Sequence, residues 1–378
     1  MEWIPLVRPS YGATEEKELL NCFHQGRLEG DGPYTKKIHQ FFQQTYQIEK
    51  ALFTTSCTDA LELAALLLDI KPGDEVIIPS YTFVSTAHAF ALRGAKIVFI
   101  DSQPDHPNVS IEAIRKALTP RTRAVVPVHY AGFSCEMDQL MKLSAEKNFI
   151  VIADAAQAIE SKYLGKPAIA WGHMSTLSFH QTKNISCGEG GMLIINDKKF
   201  AKRAEILREK GTNRSAFFRG EVDKYNCIDI GSSYLGSDLL ASILWAQLER
   251  REELQLARHK IWKAYHEKLA PLANAGKIVL PKILPNTEHN AHCYYVICKD
   301  LEERTQLITF LKDRQIGAVF HYLSLHKSPY YLPLHDGRDL PMSDHYTDAL
   351  LRLPLFPTMT EAELDHVIRS IHDFFRKL

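Results

Sequence analysis

Two residue types 29 positions apart suggest chemistry that neither performs alone: Asp154, in Ile150-Val151-Ile152-Ala153-Asp154-Ala155-Ala156-Gln157, and Lys183, in Ser178-Phe179-His180-Gln181-Thr182-Lys183. Asp154 closes the apolar run Phe149–Ala153, which reads as a buried parallel strand entering a short helix over 155–161. An acid at the C-terminal end of such a strand faces the crevice where open α/β sheets bind ligands. A lysine amine nearby can bond to an aldehyde cofactor, and the acid can keep that cofactor's ring nitrogen protonated. The pairing points to pyridoxal 5′-phosphate (PLP).

Other residues would have to hold such a group. Thr54-Thr55-Ser56-Cys57-Thr58-Asp59 lies between a predicted strand and a predicted helix over 60–70. A helix start offers free backbone N–H groups and a positive dipole end to a phosphate, and Ser56 and Thr58 add hydroxyls. The same residues also read as ordinary N-capping. Gln157 lies one predicted helical turn beyond Asp154, and Ser178 offers a further hydroxyl for phosphate. Phe83 follows a strand end in Pro79-Ser80-Tyr81-Thr82-Phe83, where it can stack on a flat ring or pack in the core. His129, His180 and His326 also sit near strand ends, but they share no metal-ligand spacing and read as packing residues. Walker glycines, a G-x-S-x-G elbow and a G-x-G-x-x-G turn after a strand are absent.

The elements that must position these residues alternate. Apolar segments at 51–55, 75–79, 96–100, 124–128, 149–153 and 192–196 are separated mostly by helical patterns. That alternation predicts an α/β domain with a mostly parallel sheet, over 1–245 with an N-terminal arm. A helix from about 239 to 266 leads away from it, and 246–378 reads as a smaller α+β domain with strands at 293–298 and 318–322. Between them, Gly211–Asn226 is polar, aromatic and basic, and reads as a long functional loop.

Composition narrows the class. The chain has 378 residues, 45% apolar and 24% charged, with 45 basic and 45 acidic side chains. That balance gives no support to nucleic-acid or membrane-surface binding. Seven cysteines with no C-x-x-C pair suggest reduced thiols and a cytoplasmic setting. The first residues lack a basic region followed by an apolar core, so no signal peptide is expected.

Taken together, these motifs resemble the PLP-dependent nucleotide-sugar aminotransferases of aspartate-aminotransferase-like fold (PLP fold type I). The resemblance rests on G-D-E-V-I-I-P-S-Y-T-F-V-S-T-A (73–87), G-A-K-I-V-F-I-D (94–101), V-P-V-H-Y-A-G (126–132), D-A-A-Q (154–157) and S-F-H-Q-T-K-N (178–184). It implies that Lys183 binds the cofactor covalently, Asp154 pairs with its ring nitrogen, Gln157 contacts its ring oxygen and Phe83 stacks on it. Ser56, Cys57 through its N–H, Thr58 and Ser178 would hold the phosphate. The run R-E-K-G-T-N-R-S-A-F-F-R-G-E-V-D-K-Y (208–225) resembles a branch acting on deoxy-sugar nucleotides. For the diphosphate and nucleotide, Arg214, Arg219 and Lys224 are candidates, with Phe217, Phe218 and Tyr225; for the sugar, His180, Tyr322 and His326. L-glutamate is the implied amino donor, and a homodimer the implied assembly. Many members carry an asparagine that reaches the partner's cofactor phosphate, and here Ser233 stands in its place. A related dehydratase branch has histidine instead of the lysine, which Lys183 weighs against.

Overall fold

The structure, a computed structural model, describes residues 2–377. Its centre is a seven-stranded sheet: β1 (Lys50–Thr54), β2 (Glu75–Pro79), β3 (Lys96–Ile100), β4 (Thr122–Val125), β5 (Ile150–Asp154), β6 (Met174–Ser178) and β7 (Gly191–Ile195), in spatial order β1-β7-β6-β5-β4-β2-β3. Pairing is parallel from β3 across to β6, and β7 runs antiparallel to both β6 and β1. Every residue of β2, β6 and β7 is buried. This is the expected state of strands covered on both faces, and it explains why they read as continuous apolar runs. The fold is α/β with a mostly parallel sheet.

Crossover connections place the C-terminal ends of β1, β2, β4, β5 and β6 along one edge of the sheet. The antiparallel β7 contributes its first residue, Gly191, to the same edge. A second sheet pairs β8 (Tyr294–Ile297) with β9 (Leu350–Leu353) antiparallel. It is packed by the helices Arg251–Asn274, Leu301–Asp313 and Glu361–Lys377, and its core takes in Tyr81, Tyr130 and Phe133 from loops of the large sheet. The N-terminal segment ties the two sheets together. The Ile4 N–H donates to the Gln315 carbonyl at 2.8 Å, the Leu355 N–H donates to the Leu6 carbonyl at 3.1 Å, and Tyr11 Oη lies 2.7 Å from Ser186 Oγ.

Several boundaries differ from the sequence expectation. The helix expected over 239–266 is two helices, Asp238–Glu249 and Arg251–Asn274, broken where Arg250 leaves helical geometry (φ −96°, ψ 6°). No helix follows Asp154; consecutive turns do, with Ala158 N–H donating to the Ala155 carbonyl at 2.8 Å and Ser161 N–H to the Ala158 carbonyl at 3.1 Å. Residues 318–322 form no strand: only Val319 bridges to Arg352. The loop over 211–226 includes the short helix Arg214–Phe218.

Gly191 is needed where it stands. A Cβ there would lie 2.2 Å from the Ser56 carbonyl group and 2.3 Å from the Cys57 nitrogen. The start of helix Cys57–Leu67 is thus laid directly against the first residue of β7. We expect Gly191→Ala to force that helix start outward, lowering stability by about 1–3 kcal/mol and weakening PLP retention by roughly tenfold or more. Urea denaturation and equilibrium dialysis would check both, and unchanged retention would show that the close approach does not shape the site.

Candidate active site

The strand ends and the second sheet enclose a cavity of about 580 Å³. Asp154, the last residue of β5, is 5% exposed. Its Oδ2 accepts from Thr86 Oγ1 at 2.7 Å and its Oδ1 from the Ala156 N–H at 3.1 Å. Burial raises the carboxyl's pKa above its usual value, against the lowering effect of those hydrogen bonds and of Lys183's charge. Lys183 lies on a turn between β6 and β7, with its N–H donating to the His180 carbonyl at 2.9 Å. Burial, aided by the charge of Arg352, lowers the amine's pKa, so a larger fraction of it is neutral and nucleophilic.

The helix start beside them suits an anion. Ser56 caps helix Cys57–Leu67 by accepting from Asp59 N–H at 3.0 Å, which leaves its hydroxyl proton free to donate. The N–H groups of Cys57 and Thr58 have no acceptor among the described residues. Thr58 Oγ1 lies 2.8 Å from Ser85 Oγ, and Ser178, 8% exposed, closes the same corner. Burial pushes the Cys57 thiol well up, so it stays protonated and its N–H is the polar group it offers. Phe83 is 55% exposed on the cavity wall, 6.3 Å between ring centres from Tyr322. Gln157 accepts from the Ala131 N–H at 2.7 Å and donates to Tyr322 Oη at 2.8 Å, which locks its amide facing the cavity.

The candidates from sequence therefore divide. Ser56, Cys57, Thr58, Phe83, Asp154, Gln157, Ser178, His180, Lys183 and Tyr322 line one cavity. Arg214, Arg219, Lys224 and Ser233 do not: Arg214 pairs with Glu209 at 3.2 Å, Arg219 with Glu205 at 3.1 Å, and Lys224 and Ser233 are exposed away from it. His326 is 3% exposed outside the cavity, with Nδ1 2.7 Å from Ser80 Oγ. His129 is also fully buried, receiving the Cys135 N–H at 3.2 Å.

Sequence reasoning missed Thr86, His292, His321 and Arg352, all on the cavity wall. His321 stacks on Tyr322 at 3.7 Å between ring centres, with Nδ1 2.7 Å from Tyr130 Oη. Arg352 donates from one terminal nitrogen to the Phe320 carbonyl at 3.2 Å, and its Nε is buried without a partner among the described residues. The one available signal was an arginine inside the apolar run Leu350–Leu355.

These residues fit PLP. A buried carboxylate answers a protonated ring nitrogen, a free amine answers an aldehyde, and a helix start with unclaimed N–H groups and nearby hydroxyls answers a phosphate. Among the described residues no cluster of metal-ligating side chains is present, and no helix is long and apolar enough to cross a membrane.

Comparisons with known proteins agree. The family model for the DegT/DnrJ/EryC1/StrS aminotransferase family matches residues 9–372. An uncharacterized protein of Methanocaldococcus jannaschii is 33% identical over 377 residues, covering 98% of this chain and 97% of that protein. The aminotransferase TlmJ of Streptoalloteichus hindustanus superposes with a TM-score of 0.92 at 29% identity over 99% of each chain. Spr1654 of Streptococcus pneumoniae, a provisionally assigned sugar aminotransferase, superposes in its PLP form with a TM-score of 0.90 at 26% identity, over 99% of each chain.

The raised pKa of Asp154 makes a signed prediction. A carboxyl whose folded pKa lies above its unfolded one stabilises the fold below the unfolded value and loses that contribution as pH rises through the folded value. Cofactor-free Asp154→Asn should therefore be more stable than the parent at neutral pH, the gap closing as pH falls below the ordinary carboxylate range. PLP binding should move the other way, weakening at least about 30-fold for a loss of about 2 kcal/mol. Thermal melts across pH and dialysis of the cofactor would read both; a variant less stable at neutral pH would overturn the electrostatic account.

Proposed function

The chain belongs to the DegT/DnrJ/EryC1/StrS aminotransferase family and is a PLP-dependent aminotransferase; from that premise we propose that it aminates a keto-sugar nucleotide. The substrate we assign is dTDP-4-keto-6-deoxy-D-glucose, with L-glutamate as donor and dTDP-4-amino-4,6-dideoxy-D-galactose and 2-oxoglutarate as products. The role would be in surface polysaccharide synthesis, of the kind that makes enterobacterial common antigen. The observation that carries amino transfer is the free amine of Lys183 sharing one cavity with the buried carboxylate of Asp154. The sugar-nucleotide reading is supported by the run 208–225 and by the sugar assignment of Spr1654.

Bound PLP supplies an aldehyde that takes up amino groups and a ring that accepts the electron pair left on the donor's α-carbon. Asp154 holds the proton on the ring nitrogen that makes the ring an acceptor. Lys183 Nζ, its basicity lowered by burial, would take the donor's α-proton and deliver it to the carbon that carried the cofactor's aldehyde, on the far side of the transferred nitrogen, and would reverse that movement at the sugar's C4. Arg352, with an unpartnered buried Nε, is suited to hold a donor carboxylate. Tyr322, Gln157 and His321 present polar atoms to the substrate side.

We further propose a homodimer. Arg214, Arg219, Lys224 and Ser233 lie away from their own cavity, as residues serving a partner's cavity would. Phe83, Val84, Leu92, Ile230 and Tyr330 are all at least 41% exposed, and Leu92 and Ile230 line one recess. Single apolar side chains on a surface are ordinary, whereas neighbouring ones mark an interface, and Leu92 and Ile230 share a recess that a partner would cover. Sedimentation equilibrium should find a dimer at micromolar concentration, and a monomer there would remove this part of the reading.

The chemistry is tested by a spectral titration. Glutamate should bleach the absorbance of the lysine-bound cofactor, and dTDP-4-keto-6-deoxy-D-glucose should restore it, with the product's C4 configuration read by NMR. Restoration by another keto-sugar nucleotide, or amination at C3, would replace the substrate assignment. In Arg352→Met the glutamate needed for half bleaching should rise roughly tenfold or more, with the sugar step little changed.

A further inference from the structure

The cavity wall carries one imidazole whose protonation pattern can be read from its neighbours. Asn184, next in the chain to Lys183, donates from Nδ2 to the Asn290 carbonyl at 2.7 Å. That bond assigns the amide's orientation and leaves Asn184 Oδ1 as an acceptor. His292 Nδ1 lies 2.9 Å from that oxygen, so Nδ1 carries the ring proton. The backbone on both sides of His292 is also held: its N–H donates to Asn290 Oδ1 at 3.0 Å, and its carbonyl accepts from the buried guanidinium of Arg258.

The ring stays neutral. Burial acts first, and the cationic groups Lys183, Arg258 and Arg352 act with it, to hold the imidazole well below its ordinary pKa. A neutral imidazole protonated on Nδ1 has a bare lone pair on Nε2. Among the described residues that nitrogen has no hydrogen-bond partner, and it is not one of the buried unpartnered atoms, so it opens to the cavity that His292 lines.

We propose that His292 is a positioning residue for Lys183: its Nε2 accepts a hydrogen bond from the uncharged Lys183 amine whenever that amine is released during turnover, and so aims the amine's lone pair at the reacting carbon. The physical advantage of imidazole is its lack of charge. A carboxylate in this place would attract the ammonium form and raise its pKa, so that less free amine would be present to move protons. An apolar side chain would leave the amine free to rotate, and proton transfer is sensitive to such misplacement. Asn184 links the two, because one short stretch of chain carries both the amine and the group that fixes the imidazole's tautomer.

This inference rests on Lys183 being the working amine, and its test needs no sugar acceptor, so it fails separately from the substrate assignment. In cofactor-free protein with ¹⁵N-labelled histidine, His292 should show a protonated Nδ1 and a bare Nε2 throughout the neutral range. An Nε2–H tautomer or an imidazolium would overturn the proposal, whatever the variants do. In single-turnover reaction with glutamate, His292→Leu should lower the maximal rate about 10–100-fold with half-saturation within about twofold. His292→Gln, whose amide oxygen is a neutral acceptor of similar reach, should recover most of that rate. Equal loss in both variants, or a change confined to half-saturation, would also overturn it.

Discussion

Taking the Asp154 carboxylate out of water costs several kcal/mol unless a cation answers it, and among the described residues it meets a hydroxyl, one N–H and the charge of Lys183. Asp154 stands at the end of a strand flanked by β4 and β6, where its backbone is fixed by pairing on both sides, and Thr86 holds one carboxylate oxygen. The site therefore carries an electrostatic cost that a protonated ring nitrogen would offset on binding. The same low-polarity setting lowers the pKa of Lys183, so one physical cause prepares both the acid and the amine for their parts.

Shape follows from a second constraint, the close approach of backbone to backbone. β7 runs against the direction of its neighbours, which brings the glycine-rich segment before it to the edge where the other strands end. Only a residue without a side chain lets the start of helix Cys57–Leu67 lie against that edge. The position of that helix start, which suits an anion, is thus set by the sheet's one reversed strand. The opposite wall comes from His292 and Cys293 just before β8, from β9 and from the segment His321–Tyr322, and the N-terminal segment, bonded to both sides, adds Leu6 and Val7 to the lining.

Much of this was legible beforehand. Strands buried on both faces appear in the chain as short apolar runs, so the parallel sheet and the placing of Asp154 at a strand end could be read directly. Ser56 turned out to do both things its position allowed, capping the helix with its oxygen while keeping a proton to donate. What failed was local geometry that tertiary contacts override. Arg250 breaks a helix that apolar spacing carries straight through, and turns replace the helix expected after Asp154, yet still deliver Gln157 to the cavity. His326 looked no different from His321 in sequence, and only packing sent one ring to Ser80 and the other to the cavity.

The sequence by itself determined the chemistry on offer: an acid at a strand end, a lysine on a glycine-rich turn, and hydroxyls at a helix start. Those depend on residue type and short-range pattern, which the chain displays without folding. The tertiary structure alone decided which groups share a cavity and in what ionic form. Burial, which shifts both Asp154 and Lys183, arises only in a cavity whose wall gathers residues as far apart in the chain as Ser56 and Arg352. The tautomer of His292 depends on an amide more than a hundred residues earlier in the chain. Charge state and proton position are properties of surroundings, and surroundings exist only once the chain has folded.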